Sequence, residues 1–282
     1  MQSSGVSFWS KLPVSLRAIV SGLLIGMIAA NVWFVLLQNL SVPLAAITEA
    51  AFLVLFLWWA AGNGSPVRTQ AARAAAFRRG PVSQNQWFWG VFAPLLFAVT
   101  VHSSIVLLFR FVPFPLAAFR QGYDLSFIPT LPLKWLAVIV SATSAGVCEE
   151  TGFRGYMQRP IEQRHGAPIA ILISSLFFTA VHMTKAWALL GMVPIVLGAG
   201  ILLGLLAWSS KSLIPGIIGH VVMDIGLFAY WWSGIAGDFR ELPISQTGID
   251  QPFLIACTVF VLSLLAVLLA IKRLRRISAS QA

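Results

Sequence analysis

Charged residues are scarce in this chain, and their scarcity excludes an ordinary soluble domain. Asp, Glu, Lys and Arg make up 10% of its 282 residues, against roughly 25% in a typical soluble domain. Acidic residues are the rarer class, 9 against 19 basic ones, and hydrophobic residues reach 58%. Most side chains therefore face something other than water, as in a multi-pass membrane protein.

Cysteine is nearly absent as well. Cys148 and Cys257 both lie inside apolar runs, which excludes a disulfide framework or a cysteine-rich metal site and predicts two buried thiols. The formal net charge of +10 is carried by short segments between apolar runs. This pattern predicts contact with anionic lipid head groups and no nucleic-acid partner.

Eight apolar runs are long enough to cross a hydrocarbon core, which takes about 20 helical residues. None alternates as the strands of a membrane barrel would. The first run is too long for a signal peptide, so we predict a retained span. The sequence predicts an all-α polytopic bundle, a single membrane domain over residues 1–282 with a motif-bearing core at about 133–232. The predicted spans are Ser15–Leu37, Leu44–Gly62, Trp87–Phe109, Leu133–Met157, Ala167–Thr184, Trp187–Ser209, Leu213–Trp232 and Pro252–Ile271.

Basic residues orient this bundle. With eight spans, most lysines and arginines fall on the side of the N-terminus, including the run from Arg68 to Arg79, whereas few, such as Lys185, fall on the other side. The positive-inside rule then predicts that both termini are cytoplasmic. The connection from Asn63 to Gln86 is either a basic interfacial helix or a solvated loop. Residues Val112–Pro132, rich in proline, are expected to form an irregular or re-entrant outer loop.

Small residues recur at four-residue spacing within two predicted spans, in Gly22–Gly26 and Gly200–Gly204. Such pairs allow helix backbones to approach closely in lipid.

Ionisable residues at membrane depth cost about 2.5–3.5 kcal/mol each on insertion scales, so they are candidates for function. Here they cluster in three short motifs, besides Glu49 near an end of the second span and His102 in the third. The motifs are Glu149-Glu150-x-x-x-Arg154, Phe178-x-x-x-His182 and His220-x-x-x-Asp224.

Helical spacing assigns hypothetical roles to the first motif. Glu150 and Arg154 are four residues apart and can form an ion pair. Glu149 points about 100° away from Glu150, is not obviously neutralised, and is suited to take a proton from water as a general base.

The other two motifs also place their members on one helix face. His182 can hold or activate the water together with Glu149. Asp224 can fix the tautomer of His220 by accepting from one ring nitrogen, leaving the other to donate to an oxyanion. Each feature alone is compatible with simple helix packing, but their joint occurrence favours a catalytic site.

The three motifs resemble those of the CAAX-protease and bacteriocin-processing family (CPBP, also called Abi), in the same order, over about Trp135 to Trp232. The resemblance implies an eight-helix, glutamate-dependent intramembrane protease. Glu149 would be the catalytic glutamate, Glu150 and Arg154 a supporting pair, and His182 a residue that orients water beside Phe178. His220 and Asp224 would line the oxyanion site, although many members have asparagine where this chain has Asp224.

Substrates of the family are prenylated proteins with a C-terminal CAAX box or, in bacteria, peptides of bacteriocin maturation and immunity. The leading hypothesis is therefore an intramembrane endopeptidase acting on a membrane-associated substrate, with no cofactor. Three alternatives stay open. Glu149, His182 and His220 could bind zinc, although no His-Glu-x-x-His sequence is present. The protein could instead be a non-catalytic scaffold or immunity protein, or a proton-coupled transporter.

Overall fold

The computed structural model describes residues 8–78, 83–184 and 190–280, which fold into a helical bundle without β-strands in these ranges. Seven helices are long and apolar enough to cross a membrane, and an eighth, with 16 residues, is shorter. The predicted all-α polytopic fold is confirmed, and the protein is an integral multi-pass membrane protein. The helices are α1 (Val14–Asn39), α2 (Val42–Ala60), α3 (Gln84–Phe111), α4 (Leu131–His165), α5 (Ala167–His182), α6 (Met192–Ser210), α7 (Ile214–Trp232) and α8 (Gln251–Ala279).

Helix α4 is longer than the sequence predicted. It does not end at Met157 but continues through a π-helical stretch, Thr151–Gln158, to His165. Gly166, with φ of +84°, then reverses the chain into α5, a conformation that suits glycine. A second π-helical stretch, Leu227–Trp232, ends α7. The first π-stretch contains Arg154 of the first motif, and the second begins three residues after Asp224 of the third. Such stretches are frequent at functional sites.

Parts of the topology prediction lie outside the described residues, namely Arg79, Lys185 and the predicted start of the sixth span at Trp187. The cytoplasmic location of both termini stays a prediction.

The two predicted connections carry short helices. Residues 112–130 are irregular apart from Leu116–Gly122, and several of their apolar side chains are buried in the main core. The basic connection forms the helices Val67–Thr69 and Gln70–Ala76. Its Arg73 and Arg78 are buried, only 3% and 6% exposed, so these two arginines face the protein.

Glycines allow α1 and α4 to pack closely beside the motif residues of α4. A Cβ on Gly152 would lie 2.6 Å from the carbonyl oxygen of Gly22 and 2.6 Å from the Cα of Gly26. In the same way, a Cβ on Gly200 of α6 would lie 3.1 Å from the Cβ of Ser175 in α5. The close helix approach predicted from the small-residue spacing is confirmed. It fixes α4, which carries Glu149, between α1 and α7.

Candidate active site

A cavity of about 110 Å³ lies inside the bundle and is walled mainly by apolar side chains of α1, α3, α5, α6, α7 and the 112–130 connection. Its polar lining includes Glu149, His182 and Asp224. One water occupies roughly 10–15 Å³ on this measure, so the cavity has room for several waters or for part of a substrate.

Three helices bring their motif side chains to one point beside this cavity. Glu149 Oε2 lies 3.8 Å from His182 Nε2 and 3.9 Å from His220 Nε2. Both distances exceed a direct hydrogen bond, and Oε2 has no hydrogen-bond partner within the described chain. A water about 2.8 Å from two such atoms bridges a gap of this size.

His182 is oriented by its own helix. Its Nδ1 lies 2.8 Å from the carbonyl oxygen of Phe178. Because a carbonyl only accepts, Nδ1 carries the hydrogen, and Nε2 of the neutral ring is an acceptor facing Glu149. The rings of Phe178 and His182 pack with centroids 4.2 Å apart. Phe178 therefore positions the imidazole through both its backbone and its side chain.

Glu150 contacts the side chains of Arg154 and His220. Its Oε1 accepts from Arg154 Nη1 at 2.8 Å, as the four-residue spacing predicted. The same oxygen lies 3.0 Å from His220 Nδ1, although 70 residues separate the two in sequence. Arg154 also donates to the carbonyl of Gly200 at 3.0 Å and lies over the Phe178 ring. Glu150, Arg154 and His220 are at most 1% exposed.

The contact of His220 with its orienting carboxylate differs from the prediction. We expected Asp224 to accept from one ring nitrogen and leave the other for an oxyanion. Instead Glu150 is the partner of Nδ1, and Asp224 Oδ2 lies 3.5 Å from Nε2, on the side of Glu149. Spacing within one helix reveals the Asp224 contact but carries no information on a partner from another helix.

The other intramembrane groups lie outside this cluster. Glu49 is in the interior of α2, not near its end, and accepts from Ser144 Oγ at 2.6 Å. His102 accepts from Trp231 Nε1 and donates to the carbonyl of Met223, both at 3.1 Å. Neither residue lines the cavity, so both serve helix packing.

Sequence reasoning missed a neutral network in the cavity wall. Trp33 Nε1 and the Tyr123 hydroxyl both donate to Ser141 Oγ at 2.6 Å, and all three residues line the cavity. Trp33 and Ser141 lie in predicted spans, and Tyr123 lies in the predicted outer loop. None of the three is charged or belongs to a recurring spacing, so the sequence does not single them out. The network fixes the 112–130 connection against α1 and α4.

The donor atoms are more widely spaced than the ligands of an occupied tetrahedral zinc site. Zinc ligands lie about 2.0–2.1 Å from the metal, so atoms of a tetrahedral site are roughly 3.4 Å apart. The gaps of 3.8 and 3.9 Å at Glu149 are wider. Within the described ranges, no group of three or more His, Cys, Asp or Glu side chains is arranged to hold a metal ion.

Comparison with known protein families gives a match to part of the chain. The family model for type II CAAX prenyl endopeptidases, Rce1-like, matches residues 130–226. This segment, about a third of the chain, is therefore similar to the CPBP family, to which the Rce1-like proteins belong. The matched segment runs from the start of α4 into α7 and contains all three motifs. No curated protein and no solved structure matches the chain. This similarity indicates an intramembrane peptidase.

Proposed function

We propose that the protein is an intramembrane endopeptidase in which Glu149 activates water, without a metal ion, to hydrolyse membrane-associated protein substrates. The observation that carries this proposal is the convergence of Glu149, His182 and His220 from three helices, with gaps of 3.8 and 3.9 Å. A packing role would favour direct hydrogen bonds between these groups, whereas the observed gaps suit a bridging water.

The protonation pattern supports a nucleophilic water. A water between Glu149 Oε2 and His182 Nε2 donates one hydrogen to each acceptor, so that the oxygen lone pairs face the cavity. Attack on a peptide carbonyl carbon forms the C–O bond as Glu149 takes one water proton. When the C–N bond breaks, the same proton is returned to the leaving amine.

The carbonyl oxygen needs a donor as negative charge develops. Because Nδ1 of His220 gives its hydrogen to Glu150, Nε2 can donate only when the ring is an imidazolium. The carboxylates of Glu149, Glu150 and Asp224 surround the ring at 3.0–3.9 Å and supply the countercharge. His220 is therefore our proposed oxyanion donor, and Asp224 maintains its charge.

The cavity wall favours an apolar substrate. Ile105, Val196, Leu227 and Phe228 contribute to a surface that is mostly carbon. Burial of apolar groups supplies about 25 cal/mol per Å², so bulky side chains or an attached lipid chain near the cleavage point would bind well. Prenylated CAAX-type proteins and bacteriocin-type precursors both have this character.

The test compares Glu149→Gln with a matched control, Glu49→Gln. Both substitutions remove a carboxylate charge at membrane depth, but Glu49 does not line the cavity. Membrane-associated peptides are compared by proteomics in cells producing each variant, and candidate cleavages are repeated with purified protein. Loss of general-base catalysis typically lowers a rate by 10²–10⁴-fold, so products should disappear only with Glu149→Gln.

A folded Glu149→Gln protein that still cleaves would refute the proposal. A biological effect that survives in this variant would instead indicate a scaffold or immunity role. Loss of cleavage with a chelator, restored by zinc, would contradict the metal-free mechanism.

A further inference from the structure

A second groove, of about 420 Å³, lies at the end of the bundle where α1 begins and α2 ends. It shares no lining residue with the cavity at Glu149. We name it the arginine groove after Arg17 and Arg73. Its other lining residues include Trp9, Val14, Ala18, Ser21, Ile25 and Trp59.

Arg73 is a buried cation with unused donors. Its side chain donates from Nη2 to the carbonyl of Gly64 at 2.8 Å and lies over the Trp59 ring at 4.7 Å. Its Nε and Nη1 have no hydrogen-bond partner within the described chain, and neither does the buried Nε of Arg17. A buried charged group without an anionic partner is costly. An anionic acceptor bound in the groove would therefore stabilise Arg73.

The chain has no carboxylate side chain to supply that charge. All 9 of its acidic residues lie in the described ranges, and none pairs with Arg17 or Arg73. Glu162 forms its ion pairs with Arg78 at 2.5 Å and Arg159 at 3.0 Å. The other eight are Glu49, Glu149, Glu150 and Asp224 inside the bundle, and Asp124, Asp238, Glu241 and Asp250 at the opposite end.

The rest of the groove is apolar and follows a membrane helix. Val14, Ala18, Ser21 and Ile25 form one stripe along α1. Helix α1 rises about 12 Å from Arg17 to Ile25, at 1.5 Å per residue. This length is about two fifths of a hydrocarbon core of about 30 Å. Trp9 and Trp59 lie beside the arginines, as aromatic residues do at the boundary of a membrane.

We propose that the arginine groove binds an anionic phospholipid. The lipid phosphate accepts hydrogen bonds from Arg17 and Arg73, and one acyl chain lies along the α1 stripe. A phosphate oxygen suits a guanidinium, which can donate two parallel hydrogen bonds. Net negative head groups are preferred because no Asp or Glu side chain pairs with the two arginines.

Native mass spectrometry of the purified full-length protein tests the proposal, with phosphatidylglycerol or phosphatidylcholine titrated in. Arg17→Gln and Arg73→Gln are compared with Arg68→Gln, a matched control that is exposed in the same connection and does not line the groove. We expect tighter binding of phosphatidylglycerol and about fivefold weaker binding for each groove variant, which corresponds to roughly 1 kcal/mol per basic side chain. The control should bind as the unaltered protein does.

Arg17→Gln is the decisive variant, because Arg73→Gln also removes the hydrogen bond to Gly64. The melting temperature of Arg73→Gln is therefore measured alongside its lipid binding. Equal lipid binding by Arg17→Gln and the unaltered protein would overturn the proposal. The same holds if Arg68→Gln loses as much as Arg17→Gln. Inorganic phosphate is the second probe: full displacement of the lipid by millimolar phosphate would identify a phosphate site in place of a lipid site.

Discussion

Arg154→Met tests whether the buried Glu150–Arg154 pair is essential to the stability of the site. Both side chains are fully buried, at 0% exposure, and their atoms are 2.8 Å apart. Methionine has a similar volume but no charge, so the substitution leaves Glu150 buried with His220 as its remaining partner.

The expected loss follows from the contacts. Removing one partner of a buried ion pair typically costs about 3–5 kcal/mol. The carbonyl of Gly200 also loses its donor from Arg154, a loss of about 1 kcal/mol that lies within the uncertainty of that range. For a chain of this size we expect the melting temperature to fall by about 10 °C.

The double variant Glu150→Gln/Arg154→Met shows how much of the lost stability comes from the uncompensated charge of Glu150 and how much from the change of shape at position 154. The glutamine oxygen still accepts from His220 Nδ1, and no uncompensated carboxylate remains at position 150. Stability should therefore recover to within about 2 kcal/mol of the original protein. Thermal and denaturant unfolding in detergent measure both effects. A loss below about 1 kcal/mol for Arg154→Met, or a double variant no more stable than the single one, would refute the reasoning.

Three further predictions concern other parts of the bundle. Gly152→Ala should destabilise the protein by about 1–3 kcal/mol, since the added Cβ meets the α1 backbone, whereas Gly198→Ala, with nothing within 4 Å, should be neutral in the same melting assay. Asp224→Asn should keep cleavage within tenfold of the original rate, because the asparagine amide can itself donate to the oxyanion when the countercharge of His220 is lost. Asp224→Leu should abolish cleavage, since leucine supplies neither a countercharge nor a donor; equal rates for both variants would contradict the proposed role of Asp224. The hydrogen bond from Arg110 lowers the pKa of the Asp250 carboxyl below its usual range. Its contribution to stability is therefore present at neutral pH and lost below about pH 4. Asp250→Asn should lower the melting temperature at pH 7, with the difference vanishing in acid.

The sequence was sufficient to predict the fold because hydropathy and helix length are local properties. Charge scarcity and apolar runs identified the seven long helices and the shorter α5. The extension of α4 to His165 was missed because Arg159 and Arg164 are typical of a loop beyond a span. In the structure Arg159 instead pairs with Glu162, one turn further along the helix.

The candidate site was predictable residue by residue but not contact by contact. Each motif has partners three or four residues apart, which helical spacing reveals, as for Glu150 with Arg154. The link from Glu150 to His220 joins α4 to α7 and depends on how these helices pack. Tyr123 was not predictable as a wall of the cavity, because its position follows from the path of an irregular segment.

The charge balance of the site explains how a bundle interior can perform acid–base chemistry. Glu149, Glu150 and Asp224 are buried carboxylates, and Arg154 forms its ion pair with one of them, Glu150. Such a surplus of negative charge is costly at membrane depth, and protons can offset it, one of them on His220. In the proposed mechanism, a proton held there serves as the oxyanion donor, while Glu149, which has no direct ion pair with Arg154, accepts the proton of water. Under this proposal, the same imbalance that would destabilise a purely structural cluster supplies the protons that hydrolysis needs.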